Sequence, residues 1–225
     1  MTIQYHRGLI QGSEEWHAAR CGLLTASEMK LIVTPTLKIA SNDKERSHLH
    51  ELLAQRITKY VEPHYIGDDM LRGVEEEIHA RATYAEHYAP VEEVGFITND
   101  KWGFTIGCSP DGLVGVDGQL ECKSRRAKFQ VATIIGGTMP DDYVIQVQTA
   151  LLVSERKWVD FVSYCGGLPM VTIRVFPDKN YQDAILDAAT AFEWRLTEKL
   201  KEYQDKLGSS VRLIPTERRV EQEII

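Results

Sequence analysis

Ser109-Pro110-Asp111-Gly112-Leu113-Val114-Gly115-Val116-Asp117-Gly118-Gln119-Leu120-Glu121-Cys122-Lys123 is the stretch on which the reading of this chain turns. It contains a Pro-Asp-Gly turn, an apolar run, an Asp117-Gly118 pair, and a second run that ends in Glu121-Cys122-Lys123. Asp-Gly between two apolar runs is a hairpin signal, because glycine accepts the positive φ of a tight turn. Side chains alternate along a strand, so Glu121 and Lys123 share one face and Cys122 takes the other. Two carboxylates, Asp111 and Glu121, with one ammonium on the same spot suit a site for hard divalent cations beside an activated water. Each residue also has a plainer reading. Asp111 can bond its own turn backbone, Glu121 can be a surface strand carboxylate, and Lys123 can pair with Glu121 two positions away.

Upstream of this stretch the pattern is helical. Ser13 before Glu14-Glu15-Trp16 reads as a helix start that Cys21-Gly22 ends. Thr25 or Ser27 is positioned to open a second short helix. Residues 34–43 read as a loop, and a helix follows over about 43–60 with Leu49, Leu52, Leu53 and Ile57 as its apolar stripe. Pro63 to Gly67 breaks it. Over 68–88, Met70, Leu71, Val74, Ile78, Ala82 and Ala85 recur at helical spacing and predict the buried face of a second long helix. Glu77 lies at the edge of that face, where a carboxylate must pair, neutralise or bind a cation. Glu75 and Glu76 read as solvated, as do His48 and His50 on a polar helix face.

From 91 to 123 the texture is β, with runs at 91–97, 104–107, 113–116 and 119–123. A helix over about 141–154 follows Pro140, strands near 157–165 and 170–176 flank Gly166-Gly167-Leu168-Pro169, and 178–206 is an amphipathic helix. The sequence therefore predicts an α/β (α+β) fold with a central mixed sheet flanked by helices. With no repeat, low-complexity tract or Pro/Gly-rich linker, residues 1–225 read as one domain.

Composition limits the function classes. Hydrophobic residues make up 43% of the 225 residues and charged residues 26%, the values of an ordinary globular chain. No apolar run reaches the roughly 18–20 residues that span a bilayer, and Met1 to Arg7 lacks the apolar segment of a secretory signal. A cytoplasmic protein with no membrane partner is the expectation. The cysteines at 21, 108, 122 and 165 lack Cys-X-X-Cys spacing, which argues for reduced thiols rather than zinc or redox chemistry. The net charge of −7 argues against nucleic-acid binding when taken alone. Its distribution argues otherwise: Lys123, Arg125, Arg126 and Lys128 cluster just past the proposed site.

Pro110-Asp111, a spacer, then Glu121-X-Lys123 resembles the core of the PD-(D/E)XK nuclease superfamily and its restriction-endonuclease-like fold. Further motifs resemble the phage lambda exonuclease and YqaJ-type viral recombinase family within it. They are Glu15-Trp16-His17 with Arg20, Gly22, Thr25-Ala26-Ser27-Glu28, Gly73 to Glu77, Cys108-Ser109-Pro110-Asp111-Gly112, Leu120-Glu121-Cys122-Lys123 and Gln146-Val147-Gln148. They fall in the family's order over about residues 13–165.

The resemblance implies a metal-dependent 5′→3′ exonuclease that degrades one strand of linear double-stranded DNA to mononucleotides and leaves a 3′ single-stranded tail. It implies Mg2+, one or two ions, with Mn2+ as a substitute. The ligands would be Glu77, Asp111, Glu121 and the Cys122 carbonyl, with Lys123 and Gln146 beside the reacting water. Arg20, Ser27 and Ser109 would bind a terminal 5′-phosphate, a task suited to a guanidinium fork with hydroxyls. In isolation an arginine of this kind is more often on the surface, such a serine more often caps a helix, and Gln146 is equally a core amide. Implied partners are a homotrimeric ring of copies around the DNA and a single-strand annealing protein. The competing readings are a structure- or sequence-specific endonuclease, and a nuclease scaffold that binds DNA or protein without cutting.

Overall fold

The computed structural model describes residues 2–63 and 67–218. In chain order the elements are β1 (Ile3–His6), α1 (Glu14–Arg20), β2 (Leu24–Thr25), α2 (Asp43–Thr58), α3 (Asp68–His87), β3 (Phe96–Asn99), β4 (Ile106–Cys108), β5 (Gly112–Val114), β6 (Gly118–Ser124), α4 (Ala127–Gly136), α5 (Val144–Ser154), β7 (Trp158–Tyr164), β8 (Val171–Val175) and α6 (Lys179–Leu207). The α+β class is as expected. The strands divide into two four-stranded sheets, β1-β3-β4-β2 and β5-β6-β7-β8.

Both sheets are mixed. In the first, β2 runs parallel to β4 while β1 and β4 flank β3 antiparallel. In the second, β6 and β7 pair in parallel along Gly118–Ser124, and β5 and β8 close the sheet antiparallel. A parallel pair needs a crossover, and here α4 and α5 supply it. The sheets are joined by Ser109, Pro110 and Asp111, which leave β4 and enter β5. Proline and a turn aspartate suit this connection, since it must change direction without continuing either ladder.

Helix α5 is apolar on every side, and Ile145 and Val147 to Ser154 are all buried. A helix of that kind belongs inside a fold rather than on its surface. Its residues join a core with Leu24, Met29, Ile32, Leu52, Ile97, Ile106, Phe192 and others, and a second cluster with Val159 and Phe161. Gln148 is fixed there as a structural amide: its Nε2 donates to the Phe176 carbonyl and its Oε1 accepts from the Asp178 N–H.

Several local expectations change. Thr25 belongs to β2, and the short 3-10 turn begins later, at Met29. The 91–97 run is not one strand: Glu92 forms only an isolated bridge to Leu113, and β3 starts at Phe96. Strand β1 and helix α4 have no counterpart in the sequence reading. The break at Pro63 to Gly67 falls partly on residues 64–66, outside the described residues. His48 is buried rather than solvated, stacked on Phe192 at 5.7 Å between ring centres. Its face of α2 is covered by α6, which also brings Arg195 within 2.7 Å of buried Glu45. Those partners lie some 140 residues downstream, so the periodicity of α2 alone could not show them. His50 is exposed as expected.

Candidate active site

The junction of the two sheets opens into a cavity of about 180 Å3, equal to roughly six waters at about 30 Å3 each. Its lining includes Arg20, Ser27, Ser109, Glu77, Asp111, Glu121, Lys123 and Gln146. Side chains from α1, α3, β6, α5 and the inter-sheet joint therefore reach one place.

The β6 end carries the charges. Cys122 points away and is fully buried with Ala80, Tyr84, Leu120 and Val162, as strand alternation requires. Glu121 and Lys123 line the cavity, 2.6 Å apart between Oε1 and Nζ. Gln146, in the first turn of α5, donates to the same Glu121 oxygen at 2.6 Å. The Cys122 N–H donates to Asp111 Oδ2 at 2.5 Å, and the Asp111 N–H donates to the Leu120 carbonyl. Both bonds lock the joint against β6. Arg81 of α3 donates to the Asp111 carbonyl from the other side.

These carboxylates are held in an unfavourable state. Burial, then the charges of Glu121 and Glu77, push Asp111 well above the ordinary aspartate value. Burial and Glu121 raise Glu77 as well. For Lys123, burial alone would favour the neutral amine, yet Glu121, Asp111 and Glu77 outweigh it and hold the ammonium charged. The donor set is three carboxylates in a partly enclosed cleft, all oxygen, with too little positive charge to balance them. That chemistry fits a hard divalent cation. Among the described residues no group of three His, Cys, Asp or Glu side chains is arranged to hold a metal ion. Lys123 and Gln146 both occupy Glu121 Oε1 instead.

The other end carries Arg20. Its Nη1 donates to Ser109 Oγ at 3.2 Å, and its Nη2 donates to Thr25 Oγ1 at 3.3 Å and Ser27 Oγ at 3.5 Å. The guanidinium lies 4.2 Å from the centre of the Trp16 ring. The Trp16 indole N–H donates to Ser109 Oγ and to the Gly95 carbonyl. Burial lowers the pKa of Arg20, with Glu28 acting in the opposite direction. A half-buried guanidinium fork among three hydroxyls has the chemistry to take an anion.

Helix α3 faces the site by its polar side. The apolar stripe read from the sequence is turned outward: Leu71, Val74 and Ile78 are each more than half exposed, and Ala82 and Ala85 are exposed too. The Met70 side chain lies outside the described residues. The inward face is Glu77, Ala80 and Tyr84 at i, i+3 and i+7, because the site needs Glu77 and β6 offers a partner for Tyr84. The Tyr84 hydroxyl donates to Asp160, which also takes a two-pronged bond from Arg174. Glu76 is not solvated: it accepts from Ser124 Oγ and the Gly166 N–H, while Glu75 is exposed. Thr25, read only as part of a motif, joins the site in its own right, and Gln11 and Tyr143 carried no distinct signal. Thr25 completes the hydroxyl set, Gln11 lines the cavity and donates to the Pro110 carbonyl, and Tyr143 receives a hydrogen bond from Arg125.

Residues 15–157 match the YqaJ-like viral recombinase domain.

The chain belongs to that family.

The matched span contains both ends of the cavity. The chain also superposes on an alkaline exonuclease (LHK-Exo) from Laribacter hongkongensis with TM-score 0.77 and 33% identity, covering 87% of this chain and 98% of that one. The same enzyme in complex with dAMP gives TM-score 0.78 at the same identity and coverage. A phage-related exonuclease from Haemophilus somnus 129PT shares the fold at TM-score 0.58 and 13% identity, over 80% of this chain and 96% of that one. No curated protein matches the chain. Among the described residues, no helix is long and apolar enough to cross a membrane, and the four cysteines are unpaired.

Proposed function

We propose that this viral recombinase is a metal-dependent exonuclease. It takes linear double-stranded DNA by a 5′-phosphorylated end and degrades that strand 5′→3′ to mononucleotides. One observation carries the reading: a single cavity holds an anion pocket at one end and a carboxylate–lysine cluster at the other. A terminal phosphate bound in the first would bring the next phosphodiester toward the second. A half-buried arginine fork beside the acids favours an enzyme that holds a strand end over one that cuts within a strand. LHK-Exo is an exonuclease of the same family-level fold, and its structure with dAMP is that of a nucleoside monophosphate complex.

Arg20, Ser109, Thr25 and Ser27 would grip the 5′-phosphate, and the fixed fork sets its angle. Asp111, Glu121 and Glu77, with the Cys122 carbonyl, would hold Mg2+ or Mn2+. The chemistry supplied by a bound ion would be polarisation of the scissile phosphate, activation of water and stabilisation of the departing oxygen. The chain's own groups do the rest. Lys123, kept protonated by its carboxylates, serves as a donor that fixes a water or a phosphate oxygen. Gln146 fixes the rotamer of Glu121. The joint N–H bonds fix Asp111. Proximity of this kind supplies much of the rate of an in-line displacement.

The outward apolar stripe of α3 (Leu71, Val74, Ile78) supports assembly of several copies, which the homotrimeric ring requires. A ring also reconciles the net charge of −7 with DNA binding, since only its channel need be basic. The 3′ tail left behind is the substrate class of a single-strand annealing protein.

The test is a time course with Mg2+ on linear duplex bearing 5′-phosphate or 5′-hydroxyl ends and on covalently closed circles. Rapid loss of the phosphorylated linear strand with intact circles is the expected result. Cutting of circles at a comparable rate would replace this reading with an endonuclease. An undegraded linear substrate would leave a binding module.

A further inference from the structure

Helix α4 is built inside out. It buries Gln130 and Thr133 and exposes Phe129, Val131, Ile134 and Ile135. Gln130 is fully buried because its amide is saturated: Nε2 donates to the Ser163 and Pro169 carbonyls and Oε1 accepts from Ser163 Oγ. That anchorage sets the rotation of the helix and obliges Phe129 to face out, 44% exposed. Phe129 is not isolated there. Lys128 Nζ lies 4.7 Å from its ring centre and the Arg125 guanidinium 5.1 Å. The same guanidinium lies 5.3 Å from the Tyr143 ring and donates to the Tyr143 hydroxyl at 2.7 Å. Lys123 Nζ, in the cavity, lies 5.8 Å from the other end of this row, the Tyr143 ring. Cations and rings thus alternate from the cavity to open surface: Lys123, Tyr143, Arg125, Phe129, Lys128. Residues 123–128 hold four basic side chains and no acid, in a chain with 26 basic and 33 acidic residues.

We infer that this row is a track for unpaired DNA, and that it holds the 3′ single-stranded tail as it leaves the site. The inference rests on the nuclease reading above. Its chemistry is that of single-strand binding: cations interleaved with faces on which bases stack. A paired base is already stacked on its neighbours and has no face to offer Phe129. Only the uncut strand is unpaired beside the site, and it becomes so one nucleotide at a time as its partner is removed. Tyr143 leans on Phe161 and holds the Arg125 fork in place, while Phe129 and Lys128 are open to a ligand.

The experiment is fluorescence anisotropy of a labelled twelve-nucleotide oligothymidylate in EDTA, where no turnover occurs. Phe129→Ala should weaken binding about five- to a hundredfold, and Phe129→Trp should restore it. Arg125→Ala and Lys128→Ala should each reduce the slope of log K against log salt by about 0.7. Val116→Ala, an 88% exposed apolar residue outside the row, should bind as wild type. In a 3′-tailed duplex, photo-crosslinking from 5-iodouracil in the tail should map to the peptide carrying Phe129. Unchanged oligonucleotide affinity in Phe129→Ala overturns the inference, and if its solution mass falls as well the face is an interface between copies. Crosslinks that map to Phe129 only from the recessed strand also overturn it. A wild type that leaves linear duplex intact sinks the nuclease reading. A wild type that digests duplex while Phe129→Ala binds normally sinks the track alone.

Discussion

The two ends of the cavity are built on opposite electrostatic principles, and they come from different sheets. The arginine end belongs to the β1-β3-β4-β2 sheet: Thr25 lies on β2 and Ser109 directly follows β4. It is complete in itself, with the guanidinium already bonded to hydroxyls and seated on Trp16. The carboxylate end belongs to the β5-β6-β7-β8 sheet and is frustrated, with Asp111 and Glu77 raised by burial and by neighbouring carboxylates. One end is preorganised for an anion; the other stores repulsion that a cation relieves. Ser109-Pro110-Asp111 links them, so one short turn sets the distance between the arginine fork and the carboxylates.

The contrast breaks most sharply if the frustrated end is neutralised. Asp111→Asn, Glu121→Gln and Lys123→Met should each lower nucleotide release about a thousandfold or more, while circular dichroism shows the fold retained. Substantial activity in all three would mean that the chemistry lies elsewhere.

At the complete end, Arg20→Ala should reduce the preference for 5′-phosphate over 5′-hydroxyl about ten- to a hundredfold. Arg20→Lys should recover little of it, because an ammonium cannot reproduce the fork. An unchanged ratio of rates would remove the anion pocket.

Frustration also predicts a stability signature. Carboxylates whose folded pKa values are raised bind more protons in the folded state, so the metal-free protein should lose stability as pH rises from the ordinary carboxylate range through the raised values. Mg2+ at a hundred times its dissociation constant should restore about 2.7 kcal/mol. Metal-free Asp111→Asn should be about 1 kcal/mol more stable than wild type and deaf to Mg2+. Equal Mg2+ responses from wild type and variant in thermal denaturation would contradict this.

The smallest effect tests how the anion pocket is braced. Trp16→Phe keeps a ring under Arg20 but removes the indole bonds to Ser109 and the Gly95 carbonyl. It should weaken 5′-phosphate discrimination by about 1 kcal/mol, roughly fivefold. A loss as large as that of Arg20→Ala would make the indole N–H part of the pocket itself.

Much of the site is legible in the order of the residues. Period-two alternation puts Glu121 and Lys123 together and sends Cys122 into the core, as strand geometry requires. Pro-Asp-Gly leads into β5 and the hairpin lies where Asp117-Gly118 predicts one, although the positive φ falls on Gly115 and Gly118 already opens β6. Helix periodicity proved less reliable where a helix serves the site. On α3 the apolar stripe is real but faces outward, because the polar stripe carrying Glu77 is the one the fold needs inside. Helix α4 inverts its polarity in the same way, for the sake of the Gln130 anchor. His48 and Glu45 are buried by α6, a long-range partner that local pattern cannot reveal.

The chain's sequence determined the strand that presents Glu121 and Lys123, the turn that presents Asp111, and the chemical kinds of group available. These follow from backbone periodicity and turn stereochemistry, which act over a few residues. Only the tertiary structure decided that the strands split into two sheets, that their seam holds Arg20 beside the acids, and which faces of α3 and α4 meet solvent. Those outcomes depend on contacts between segments tens of residues apart, where burial and charge compensation outweigh local preference.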